Sequence, residues 1–195
     1  MKNIWIKTII IIVILVPISI FLHETGHWLI YELNAMDSWM SLQRANLVNP
    51  EHLTEGIFLK SLFGGPILTI LLALISYLLL TKFRESVWLL VLGLINATGR
   101  ILPTIIGILT SFKTDLNGVS DEGNIALRIT NNVFIREIIM LLLLSLFIFM
   151  ITRFYKTFKF PDNFKQKKIF VSMICLLSIL ISLIYPKLDQ IIFGI

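Results

Sequence analysis

Cysteine occurs once, at Cys175, so the chain forms no internal disulfide and no thiolate zinc cluster. Charge is scarce as well. Asp, Glu, Lys and Arg make up 15% of the 195 residues, where a soluble domain carries ~25%. With 56% hydrophobic residues, that scarcity excludes an ordinary soluble domain. It also excludes disorder, which needs low hydrophobicity. No alanine precedes Ala35, so the apolar N-terminal run offers no small-residue cleavage site. The run is therefore expected to persist as a helix and not to leave as a signal peptide. No internal repeat or low-complexity linker is present. The net charge of +5 comes from basic residues that flank apolar runs. That pattern points to membrane topology, and no nucleic-acid partner is expected.

A bilayer is crossed by roughly 20 apolar helical residues. Five stretches meet that length: Ile4 to about Tyr31, about Ile57 to Leu80, Val87 to Phe112, about Val133 to Ile151, and Ile169 to Tyr185. The expected fold is all-α, a polytopic integral membrane protein of about five transmembrane helices in the cell membrane. Residues 1–195 are read as a single membrane domain. About 4–125 would hold a three-helix catalytic core, and about 126–195 two additional transmembrane helices. The tail from Leu188 to Ile195 is too short to cross again. Segments 32–56 and 113–132 read as connections, marked by Asn34, Asp37 and Asn49-Pro50, then by Asp115, Asn117-Gly118 and Gly123.

Loop charge suggests an orientation. Arg153, Lys156, Lys159, Lys165, Lys167 and Lys168 face one acid, Asp162, so that loop should be cytoplasmic. Counting back places the N-terminus and the Lys82/Arg84 loop inside, and 32–56 and 113–132 outside.

The chemistry concentrates in His23-Glu24-Thr25-Gly26-His27. Two histidines at i and i+4 share one helix face and can reach one ion. A glutamate beside the first can take a proton from water polarised by that ion and return it to a leaving amine. Two His and one Glu in a membrane helix are costly to bury and tend to be functional. The competing reading is a helix end emerging into the interface, where polar residues carry no such cost. A catalytic zinc needs a third protein ligand and one open position. Leu33 stands where a soluble metzincin would place a third His. The remaining candidates are His52, Glu32, Asp37, Glu51, Glu55, Asp115, Asp121 and Glu122.

On these residues the chain resembles the site-2 protease family of intramembrane zinc metalloproteases, over about residues 15–125. In that family a membrane-embedded His-Glu-x-x-His supplies two zinc ligands and the catalytic glutamate. A later Asp-Gly motif, preceded by an Asn and Pro pair, supplies the third ligand. A Gly-Pro element often opens the helix after the first motif. The matching pieces here are Gly64-Gly65-Pro66, Asn96 with Pro103, and Asp121-Glu122-Gly123. The spacing departs from the family: Asp121 lies eighteen residues beyond Pro103, and Glu122 separates it from the glycine.

The resemblance implies Zn2+ as cofactor, bound by His23, His27 and Asp121, with Asp115 the next candidate. It implies Glu24 as catalytic base and a membrane protein or membrane-inserted peptide as substrate. Asp121 also has a plainer reading, as a cap or turn residue before the next helix. Reaching the site requires Asp121 to dip back from its loop, or the third helix to break near Pro103 or Gly107. Asn96 and Arg100 lie at i and i+4 and share a face. Asn96 would hold the substrate backbone. Arg100 would stabilise an oxyanion or, alternatively, pair with a carboxylate such as Asp121. In many family members zinc lies nearer the cytosol, whereas the loop charges here put the motif toward the outer face.

Two other classes fit parts of the pattern. A metal transporter would need a second helix bearing metal ligands, and no other histidine lies in an apolar run. A non-catalytic membrane scaffold, immunity or regulatory protein would have no use for Glu24.

Overall fold

The computed structural model describes residues 2–42, 44–112, 120–160 and 164–193. It is predominantly helical. Helical segments long and apolar enough to cross a membrane run over Ile4–Leu33, Glu55–Lys82, Val87–Thr110, Val133–Thr157 and Gln166–Tyr185. The all-α expectation has one exception. Ser38–Met40 (β1) and Ala45–Leu47 (β2) pair antiparallel, with Trp39 opposite Asn46, inside the segment expected to be a plain connection. Strands of three residues are too short to show an alternating pattern.

The first helix, α1 (Lys2–Leu33), ends in a Schellman arrangement. The Met36 N–H donates to the Tyr31 carbonyl, and the Ala35 N–H to that of Glu32. Ala35 takes the left-handed position at φ 55°. Helix α2 (Glu55–Lys82) begins before the expected start near Ile57. Gly64-Gly65-Pro66 therefore lies inside it and does not open it.

The stretch from Val87 to Phe112, expected as one helix or as one broken near Pro103 or Gly107, is two helices. Helix α3 (Val87–Thr98) is capped by the Ser86 hydroxyl, which accepts from the Leu89 N–H. Helix α4 (Ile101–Thr110) follows after Gly99 and Arg100. Pro103 explains the break: it has no N–H for the Gly99 carbonyl, and its ring crowds that carbonyl.

A short helix, α5 (Asp121–Ile129), stands where a connection was expected. The Ser120 hydroxyl caps it, accepting from the Gly123 N–H at 3.3 Å. Asp121 is thus a first-turn residue of α5 and not its cap. Helix α6 (Val133–Thr157) starts where the Asn132 side chain accepts from the Phe134 and Ile135 N–H groups. Helix α7 (Phe164–Phe193) is longer than the run that announced it, and carries residues 188–193 of the expected tail in unbroken helix.

The chain forms two compact units. The first comprises residues 1–20, 69–99 and 148–195. Its core joins Ile12 and Val16 of α1 to Leu90 and Leu94 of α3, Phe154 of α6, Phe158, and Phe170 and Ile174 of α7. Gly93 makes room for the Phe154 ring, which a Cβ there would strike. Phe158 and Phe170 stack at 6.1 Å, and Trp5 meets Phe170 edge-on.

The second unit comprises residues 21–68 and 100–147. Here α1 and α2 cross at Gly26 and Gly64, where a Cβ on either glycine would overlap the other's carbonyl. Small residues at such a crossing let two backbones touch. The Ser61 hydroxyl donates to the Tyr31 hydroxyl beside that crossing. Helix α4 packs on α5. Buried Arg136 of α6 ties the chain ends around them, donating to the carbonyls of Ser111 and Thr130.

Candidate metal centre

One turn of α1 puts His23 and His27 on the same face, with ring centroids 4.8 Å apart. Their Nε2 atoms are separated by 3.1 Å. The first turn of α5 brings Asp121 to the pair. Its Oδ2 stands 3.1 Å from His23 Nε2 and 3.5 Å from His27 Nε2. All of these residues belong to the second unit.

These distances test the fit to an ion. Donors bonded to zinc at about 2.0–2.1 Å in a tetrahedron stand about 3.3 Å from one another. The observed separations of 3.1, 3.1 and 3.5 Å surround that value. Two imidazoles and a carboxylate are a donor set that zinc accepts, and three protein ligands leave a position open. The Asp121 side chain is 29% exposed and the histidines about a third of that, so the cluster opens on the Asp121 side.

The tautomer of His27 also fits. Its Nδ1 is 2.6 Å from the Ser61 carbonyl, which can only accept. The hydrogen must therefore sit on Nδ1, and the neutral ring offers a bare Nε2 to the cluster. Gly65 makes room for both rings. A Cβ on it would overlap His27 Nε2 and the Cε1 and Nε2 atoms of His23.

Glu24 follows His23 and shares a face with His27 at i+3. Its carboxylate accepts a hydrogen bond from the Ala45 backbone N–H of β2. The neighbouring Thr25 hydroxyl approaches the Met40 sulfur of β1 at 3.6 Å. The unforeseen hairpin therefore lies against the His23–His27 segment.

Arg100, at the head of α4, meets the same cluster. Its Nη1 is 3.1 Å from His23 Nε2 and its Nη2 is 3.3 Å from Asp121 Oδ2. Nε and Nη2 both donate to Glu122 Oε1, at 2.6 and 2.5 Å. Of the two readings of Arg100, pairing with carboxylates is the one seen here. Burial alone would push the Asp121 carboxyl up. The His23 and His27 rings, 3.1 and 3.5 Å away, and the Arg100 charge hold it well below the ordinary carboxylate range.

Asn96 belongs to the first unit, where it is buried, accepts from the Ser19 hydroxyl and donates to the Leu92 carbonyl. Asp115 lies outside the described residues. Sequence reasoning missed the Ser61 carbonyl, the Ala45 N–H and the space kept by Gly65. It named Glu122 only as a possible ligand. The first two are backbone groups and carry no residue-type signal. Comparison with protein families, curated proteins and solved structures finds no match to this chain.

Proposed function

We propose that the chain is a multi-pass protein of the cell membrane and a zinc endopeptidase of the site-2 protease type. On this reading it cleaves membrane-embedded or membrane-inserted polypeptides. One observation carries the proposal: His23, His27 and Asp121 converge at tetrahedral spacing, with Glu24 beside them on α1. The many outward-facing apolar side chains of the long helices, such as Leu78, Leu142 and Phe149, support the membrane setting.

A zinc ion held by His23, His27 and Asp121 would supply a Lewis acid for the scissile carbonyl and make nearby water easier to deprotonate. Glu24 takes the proton from the attacking water and passes it to the departing amine. The Ser61 carbonyl keeps the His27 ring in the tautomer that binds a cation. The exposed edge at Asp121 admits water and substrate. A helical substrate has its peptide groups already hydrogen-bonded, so it must unwind locally before attack.

Elemental analysis of detergent-purified protein tests the reading, with a cleavage assay on a single-span substrate. Wild type and Glu24→Gln should each carry about one zinc per chain, as a three-ligand site requires. Glu24→Gln should lower cleavage by roughly 10²- to 10⁴-fold, the worth of a positioned general base. His23→Ala and Asp121→Ala should lose the metal, and Asp115→Ala should keep it. Loss in Asp115→Ala alone would move the third ligand. Folded wild type without zinc would overturn the enzyme and leave a membrane scaffold.

A further inference from the structure

Beside the metal ligands sits a buried ion pair that the proposed chemistry does not use. Arg100 is 7% exposed and Glu122 1%. Two guanidinium nitrogens converge on Glu122 Oε1, while Oε2 is buried without a hydrogen-bond partner among the described residues. An orphaned carboxylate oxygen in a closed interior is expensive and calls for an explanation.

The explanation lies in where the Arg100 charge rests. The guanidinium reaches His23 Nε2 and Asp121 Oδ2, two of the three atoms that an ion would need. The lone pair on Nε2 cannot serve a hydrogen bond and a metal bond together. Binding a divalent cation therefore requires Arg100 to let go of His23 and to share Asp121. A buried guanidinium always keeps its charge, so it must retain a carboxylate. Glu122, the neighbour of Asp121 on the first turn of α5, is that carboxylate.

We propose that Glu122 is a positioning residue that acts through Arg100: it holds the guanidinium so that Asp121 and His23 stay available to a divalent cation. This rests on the metal-site reading above. Remove Glu122, and among the described residues Asp121 is the one carboxylate left in hydrogen-bond contact with Arg100. The arginine then competes with the ion for it.

Zinc affinity by chelator competition, and the visible spectrum of the cobalt-substituted protein, test this on full-length protein in detergent. Glu122→Gln should weaken zinc binding by about 10- to 100-fold, the usual effect of losing a group that orients a ligand. Arg100→Met combined with Glu122→Met removes the competitor along with its anchor. That double variant should bind zinc at or above the wild-type affinity and give the wild-type cobalt spectrum. A merely structural ion pair predicts otherwise, with the single and double variants losing affinity together. Unchanged affinity in Glu122→Gln, or equal loss in both variants, overturns the proposal. If Glu122→Gln does not fold, the double variant decides alone: affinity below wild type overturns it. Wild type that binds no zinc would instead sink the metal site itself, a separate failure visible before any variant is made.

Discussion

Gly65 illustrates how much the centre depends on single atoms. Both imidazoles occupy the volume that a β-carbon at this position would need. Gly65→Ala should thus displace the rings and empty the site while α2 stays helical, since alanine is the better helix former. Zinc content falling toward zero with an unchanged far-ultraviolet circular dichroism spectrum is the expected result. Full zinc occupancy in the variant would mean that the rings sit elsewhere. Gly26 and Gly64 differ, because a β-carbon there meets backbone and has no side chain to push aside.

Helix ends set the elements in place, and two can be tested. Ala35 adopts a left-handed conformation at the end of α1, where a β-carbon costs roughly 1–2 kcal/mol. Ala35→Gly should therefore stabilise the protein by up to about 1 kcal/mol, once the greater freedom of glycine in the unfolded chain is deducted. Thermal unfolding in detergent reads it out, and a lower midpoint would contradict the assignment. At the start of α5 the Ser120 hydroxyl holds the Gly123 N–H. Ser120→Ala should cost about 1 kcal/mol. Because Asp121 is the next residue, the loss should also appear as weaker zinc binding. Weaker binding without lost stability, or the reverse, would separate the cap from the ligand.

Taken whole, the molecule turns large apolar side chains outward along its long helices. Leu142, near the middle of α6, is 65% exposed. On a soluble helix a lysine at such a position would be tolerated. In hydrocarbon it should make insertion of α6 less favourable by about 3 kcal/mol. The fraction of Leu142→Lys that resists alkaline extraction from membranes measures this. Extraction equal to wild type would argue against α6 crossing the bilayer.

Periodicity and spacing are local, so they are legible in one chain. Long apolar runs gave away the five span-length helices, and Pro103 marked the place near which the third was expected to break, although hydropathy continues across Gly99. His-Glu-x-x-His placed two imidazoles on one face because 3.6 residues complete a turn. Without tertiary structure the eight remaining ligand candidates stayed level, and only a family resemblance favoured Asp121. Its approach to His23 spans 98 residues of chain. It depends on the Pro103 break, the Ser120 cap and the packing of α4 on α5. The pairing of Glu122 with Arg100 was likewise decided by that packing. Neighbouring acids on a helix point about 100° apart, and which of them meets the imidazole pair depends on where the helix docks.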